Sequence, residues 1–116
     1  MANIFKIKTN DAMPASAGTP LTLYTVQTGE TAVVLGLLLC NVHTSAITVS
    51  VQIVSNTSDT ETNETVYAIR NAPISVGGTL EVLTGSKVVL QASDVLKIDC
   101  SDSATIDSSL SIMEIS

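Results

Sequence analysis

The chain has 116 residues, which is enough for one domain but not for two. Hydrophobic residues make up 45% and charged residues only 14%, a composition that excludes a disordered chain. The formal net charge of −6 disfavours a surface for nucleic acid, because phosphate groups are bound by clusters of basic residues. The five basic residues are instead scattered along the chain: Lys6, Lys8, Arg70, Lys87 and Lys97.

The longest apolar run extends from Ala32 to Cys40, whereas a membrane-spanning helix needs about 20 residues. The N-terminal segment lacks the apolar core of a signal peptide, so we expect the protein to begin in a cytoplasm. Cys40 and Cys100 do not form a CxxC motif, and zinc or redox chemistry therefore has no support. We expect two buried free thiols in a reducing compartment, while a disulfide stays geometrically possible.

Val, Ile and Thr form about a third of the chain, and their branched side chains favour strands over helices. The first apolar segment, residues 2–8, is either the first strand of the domain or an extended arm. A loop at residues 10–20 follows, and a strand at 21–26 and a tight turn at 27–30 lead to a long apolar strand at 31–42.

The second half of the chain continues this alternation of strands and turns. Apolar and polar residues alternate from Ile47 to Ile53 with the period of a half-buried strand, and a polar loop follows at residues 55–65. Further short strands are predicted at 79–83, 87–90, 95–100 and 109–115, separated by Gly, Ser and Asp turns. After Ile112 the apolar positions change parity, which a terminal bulge or burial of both faces would explain.

Eight or nine short strands without a helix predict an all-β protein: a single antiparallel β-sandwich or a jelly-roll-like barrel. We divide the chain into an N-terminal strand or arm with its loop, residues 1–20, and a β-sandwich domain, residues 21–116.

The long strand at residues 31–42 is apolar at nearly every position, so we expect both of its faces to be buried. A small sandwich has a single core, and the outer face of this strand must then be covered by another copy or a partner. The alternative is a loop folded over the strand. The residues predicted for self-association are Val34, Leu35, Leu37, Leu38 and Leu39.

No sequence motif for catalysis, a cofactor or a metal ion is present. The single histidine, His43, is three residues from Cys40, and residues at that spacing on a strand point to opposite faces. We therefore expect His43 to lie in a hairpin turn. Four aspartates, Asp94, Asp99, Asp102 and Asp107, do not have the spacing of a calcium loop and are interpreted as a solvated acidic edge. We expect no enzyme activity.

Three segments resemble small β-sandwich structural proteins of tailed bacteriophages. They are LYTVQTGETAVVLGLLLCNV from Leu21, APISVGGTLEVLTGSKVVLQASDVLKI from Ala72 and IDSSLSIMEIS from Ile106. The turn at Gln27-Thr28 departs from the more common Pro-Ala. The resemblance implies a non-enzymatic component of the virion, assembled in the host cytoplasm with the major capsid protein or other virion proteins as partners. The resemblance does not assign a functional role to any residue of this chain.

Three hypotheses follow. The first is a capsid decoration or cement protein that binds the assembled head, with an N-terminal arm formed by Ile4, Phe5, Lys6, Ile7 and Lys8. The second is a tail, neck or baseplate subunit that forms a homo-oligomeric ring or trimer. The third is a small receptor- or carbohydrate-binding module, which requires exposed aromatic side chains near Tyr24 or Tyr67.

Overall fold

The structure is a computed structural model that describes residues 3–14, 16–56, 63–82 and 88–116. These residues form nine β-strands, and no helix occurs among them. None of the described residues therefore belongs to a helix that could cross a membrane. The strands are β1 (Asn3–Met13), β2 (Leu21–Thr25), β3 (Thr31–Asn41), β4 (Ile47–Val54), β5 (Thr65–Ile74), β6 (Thr79–Val82), β7 (Val88–Leu90), β8 (Val95–Cys100) and β9 (Ile106–Ile115).

The strands form two antiparallel sheets that pack against each other. Sheet A has the order β1-β9-β3-β6, and β7 also pairs with β3; sheet B has the order β2-β8-β4-β5. Since β6 and β7 share one neighbour and are separated only by residues 83–87, they occupy a single position in the sheet. The result is the strand order of a jelly roll. The predicted all-β sandwich of eight or nine strands is confirmed.

Most connections between consecutive strands cross from one sheet to the other and do not form hairpins. Among the described strands, only β4 and β5 are both consecutive in the chain and paired with each other, while most other connections pass from one sheet to the other. The turns at Gly29 (φ 83°) and Gly77 (φ 71°) both make such crossings. His43 also lies in a crossing, between β3 and β4, and its expected place in a hairpin is wrong. The predicted turn at residues 84–86 lies outside the described residues.

The core lies between the sheets and is built by residues at alternate strand positions. In β4 the inward residues are Ile47, Val49 and Val51, and in β8 they are Leu96 and Ile98, as the sequence predicts. Each of these side chains is buried, and the intervening residues face outward.

Strand β9 keeps its alternation to its end. Register shifts occur opposite β1 and β3, but none follows Ile112, so the predicted terminal bulge is wrong. The inward position after Ile112 is Glu114, a buried acidic residue, while Met113 and Ile115 face outward and are half-buried. The apparent change of parity arises because a charged residue occupies a core position.

Candidate interaction surface

Four apolar side chains form a row across the outer face of sheet A. Phe5 of β1 lies opposite Met113 of β9, Met113 lies opposite Val33 of β3, and Val33 lies opposite Val89 of β7. Directly opposed residues of an antiparallel sheet share a face, and their Cβ atoms are about 5 Å apart. Phe5 is 71% exposed and Val89 is 60% exposed. We call Phe5, Met113, Val33 and Val89 the apolar row.

Further apolar side chains flank the apolar row on the same sheet. Ile7 lies two residues from Phe5 on the same face of β1 and is 65% exposed. Leu38 of β3 is 42% exposed, and Ile115 of β9 is half-buried next to Met113. Soluble monomers rarely expose extended apolar patches unless the patch is an interaction site. This face is therefore the candidate site of contact with a partner.

The residues predicted for self-association divide between the two faces of β3. Val34, Leu37 and Leu39 point into the core and are fully buried. Leu38 faces outward, and Leu35 is 40% exposed where a register shift between Val34 and Gly36 adds a residue to β3 opposite β9. In the single chain, only the inner face of β3 is fully buried. Burial of its outer face by a second copy stays a prediction.

The residues predicted for the arm lie in β1, which pairs with β9 along its length. Phe5 and Ile7 point to the outer face of sheet A. The side chains of Ile4, Lys6 and Lys8 lie on the other face of the strand, and all five are exposed. No strand among the described residues pairs with the other edge of β1, which is therefore an open sheet edge.

A charged cluster joins β1 to both sheets. The Lys6 ammonium lies 2.7 Å from Oε1 of Glu114, and the Tyr24 hydroxyl donates a hydrogen bond of 2.6 Å to Oε2. Glu114 is only 4% exposed, so its carboxylate is compensated by an ion pair at Oε1 and a hydrogen bond at Oε2. The Lys8 ammonium lies 5.1 Å from the centre of the Tyr24 ring, a distance suited to a cation–π contact. We call Lys6, Lys8, Tyr24 and Glu114 the β1 clasp.

The contacts among Lys6, Tyr24 and Glu114 shift the pKa values of these three groups. The hydrogen bond from Lys6 holds the pKa of the Glu114 carboxyl below its usual range, and the Tyr24 hydroxyl acts in the same direction against the effect of burial. Glu114 in turn raises the pKa of Lys6. Burial raises the pKa of Tyr24, and its hydrogen bond to Glu114 adds to that shift. The cluster is therefore stable with Lys6 and Glu114 charged and Tyr24 neutral.

Sequence reasoning missed the β1 clasp. The available signal was the position of Glu114 in the inward series of Leu110 and Ile112, because an acidic residue at such a position requires a partner. The alternation of Lys6 and Lys8 on one face of a strand offered two possible cations. Lys6 could not be identified as the partner of Glu114 from the sequence, because this requires the knowledge that β1 pairs with β9.

The outer face of sheet B is mostly polar, although Val54 and Val95 lie opposite each other on it. Its side chains include Gln52, Lys97 and Asp99, and a shallow cleft of about 410 Å³ lies beside Asp99 and the loop at Gly18. The Gly18 amide donates a hydrogen bond to Asp99 (2.9 Å). Tyr67 is half-exposed on this face, with the Arg70 guanidinium 5.1 Å from its ring centre.

The other residues considered for chemistry lie at separate places in the described structure. Asp94 accepts hydrogen bonds from the amides of Asn56 and Gln91, so it orders a loop instead of standing in a solvated edge. His43 lies 4.0 Å from Asp102, and both cysteines are free. Within the part of the chain that the structure describes, no three His, Cys, Asp or Glu residues are placed to hold a metal ion.

Neither the models of known protein families nor the curated proteins match this chain.

Proposed function

We propose that this chain is a non-enzymatic structural protein of a bacteriophage virion that decorates the assembled head. The observation that carries the proposal is the apolar outer face of sheet A, centred on the apolar row. Resemblance of the segments from Leu21, Ala72 and Ile106 to small phage structural proteins supplies the virion context. Jelly rolls include viral capsid domains, but one fold serves many functions, so the proposal depends on the surface.

The energetics of this face suit an interface. Complete burial of one large apolar side chain contributes about 1.5–3 kcal/mol, and Phe5, Ile7 and Val89 are each more than half exposed. Burial of these three with the partly exposed Leu38 gives several kcal/mol toward the cost of association. Polar residues border the patch, including Ser109 and Glu81, as expected for the rim of a protein interface.

A second candidate is a tail, neck or baseplate subunit in a closed ring or trimer. The open edge of β1 favours it, because an unpaired strand can add to a sheet of a neighbouring copy. In such a ring the apolar row would be covered by copies of the chain before contact with the rest of the particle. The partner is then the chain itself, and no preformed head is needed.

The test compares two variants of the exposed faces. The Phe5→Ser/Val89→Ser variant removes both exposed ends of the apolar row, and Tyr67→Ser changes a half-exposed aromatic residue on sheet B as the matched control. Each protein is mixed with purified phage heads that lack it, and binding is measured by co-sedimentation. We expect the double variant to lose binding and the control to keep it. Retained binding by the double variant would overturn the proposed surface.

Light scattering without heads separates the two candidates. A monomer of 12.0 kDa that binds heads supports the decoration protein. A stable trimer or larger ring that dissociates on the Phe5→Ser/Val89→Ser change supports the tail, neck or baseplate subunit.

A further inference from the structure

The outer part of β1 is held to the body by a small number of interactions. Residues 3–9 are exposed, pair with β9 and make few contacts with other strands. The charged side chains of this segment contact the body through Lys6 with Glu114 and Lys8 with Tyr24. Its attachment therefore depends mainly on the backbone ladder and the β1 clasp, because Phe5 and Ile7 are mostly exposed and Ile4 is only about half buried.

The inner part of β1 is anchored differently. The register with β9 shifts between Asn10 and Met13, and Met13 is buried in the core. The Pro14 carbonyl accepts a hydrogen bond from the Ala104 amide (2.6 Å), and the next residues are tied down where the Gly18 amide donates to Asp99. Residues 11–12 thus separate an exposed strand segment from an anchored one, and they are the natural place for a change in chain direction.

The edge of β9 and the groups beside it are complementary in charge to this segment. Without β1, Glu114 would lose the Lys6 ammonium and β9 would have an unpaired edge. Lys6 and Lys8 are two of the five basic residues in a chain of net charge −6, so this segment is cationic where most of the protein is acidic. Glu30 adds further negative potential at Lys6. A strand that pairs with this edge and makes the same contacts therefore has lysines at the positions of Lys6 and Lys8.

We propose that residues 3–10 exchange between copies, so that the segment of one copy pairs with β9 of a second copy. The exchanged strand makes the same ladder and the same clasp with its new partner, and the main cost is the entropy of association. The second copy is the occupant because its segment has the charges and register that this edge binds. The inference concerns self-association and does not rest on a location in the virion.

The test uses two single-cysteine substitutions at directly opposed positions, Ile7→Cys and Ser111→Cys, both in a Cys40→Ser background. One of the two proteins carries a size tag. They are mixed at high concentration, incubated, diluted and treated with a short crosslinker that joins two thiols. Cys100 is buried and stays in both proteins.

Exchange predicts a crosslinked product that contains one Ile7→Cys chain and one Ser111→Cys chain, with little product from either protein alone. The chain with both substitutions is the control for the closed form, in which crosslinking joins β1 to β9 of the same molecule. The proposal is overturned if the mixture gives no product between the two chains while the control crosslinks within itself. It is also overturned if Ile7→Cys alone crosslinks as efficiently as the mixture, since that result indicates contact between outer faces.

Discussion

The two outer faces of the sandwich have the same antiparallel strand geometry but differ in how apolar their outward side chains are. On sheet A the outward positions hold the apolar row and its neighbours, whereas on sheet B they hold residues such as Ser50, Gln52 and Lys97. Inward positions of both sheets are apolar with few exceptions. The alternation of residues therefore determines the fold, while the choice of outward residue determines which face can bind a partner.

The largest expected effect separates the inner and outer faces of β3. Leu37→Ala removes a fully buried side chain and should lower the free energy of unfolding by about 2–5 kcal/mol, because it leaves a cavity in the core. Leu38→Ala, one residue further on the outer face, should cost less than about 1 kcal/mol. Urea denaturation measures both. An equal decrease in the free energy of unfolding for the two variants would contradict the assignment of Leu37 to the core and Leu38 to the outer face.

The next effect concerns the one acidic residue at an inward position of β9. Glu114→Gln removes the charge that Lys6 and Tyr24 stabilise and should lower the free energy of unfolding by about 1.5–3 kcal/mol. The matched control is Glu81→Gln on the outer face of sheet A, with an expected change within about 0.5 kcal/mol. Denaturation of both variants at neutral pH makes the comparison. An unchanged Glu114→Gln protein would contradict the role of the clasp.

The β1 clasp also makes the free energy of unfolding depend on pH. Because Lys6 and Tyr24 lower the pKa of Glu114 in the folded state, the unfolded state takes up the proton first as pH falls. The stabilisation is present above the unfolded value of about 4.5 and is lost as pH falls through the lower folded pKa. The difference in unfolding free energy between the native protein and Glu114→Gln should therefore shrink in this range. A difference in unfolding free energy that increases as the pH falls would contradict this prediction.

The smallest effect concerns the crossings between the sheets. Gly29 has a φ of 83° in the turn from sheet B to sheet A, so Gly29→Ala should cost about 1 kcal/mol although the space around it is open. Gly36→Ala in β3 is the control, since Gly36 has ordinary backbone geometry and no atom within 4 Å of an added Cβ. We expect it to be neutral or slightly stabilising. Thermal denaturation of the pair tests whether the crossing turn, not the loss of glycine, carries the cost.

The fold class could be predicted because each half-buried strand has a local signature, as in Ile47 to Ile53. Strand order could not, since turns that close hairpins and turns that cross between sheets use the same residues, as Gly29 and Gly77 illustrate. The apolar row depends on the register of β1, β9, β3 and β7 together. The clasp likewise joins Lys6, Tyr24 and Glu114, which are far apart in sequence and are brought together only by the complete sandwich.

The central place of β9 in sheet A has a consequence for how the protein folds. β9 lies between β1 and β3, so the first and third strands of the chain have no common neighbour until residues 106–115 have been synthesised. During synthesis β3 cannot pair with β9 until the C-terminal strand has been made. The complete sheet A, with β1 joined to β3 through β9, therefore forms only in a late step. Since most contacts join residues distant in sequence, folding should be slow for a domain of this size, on the order of milliseconds to seconds.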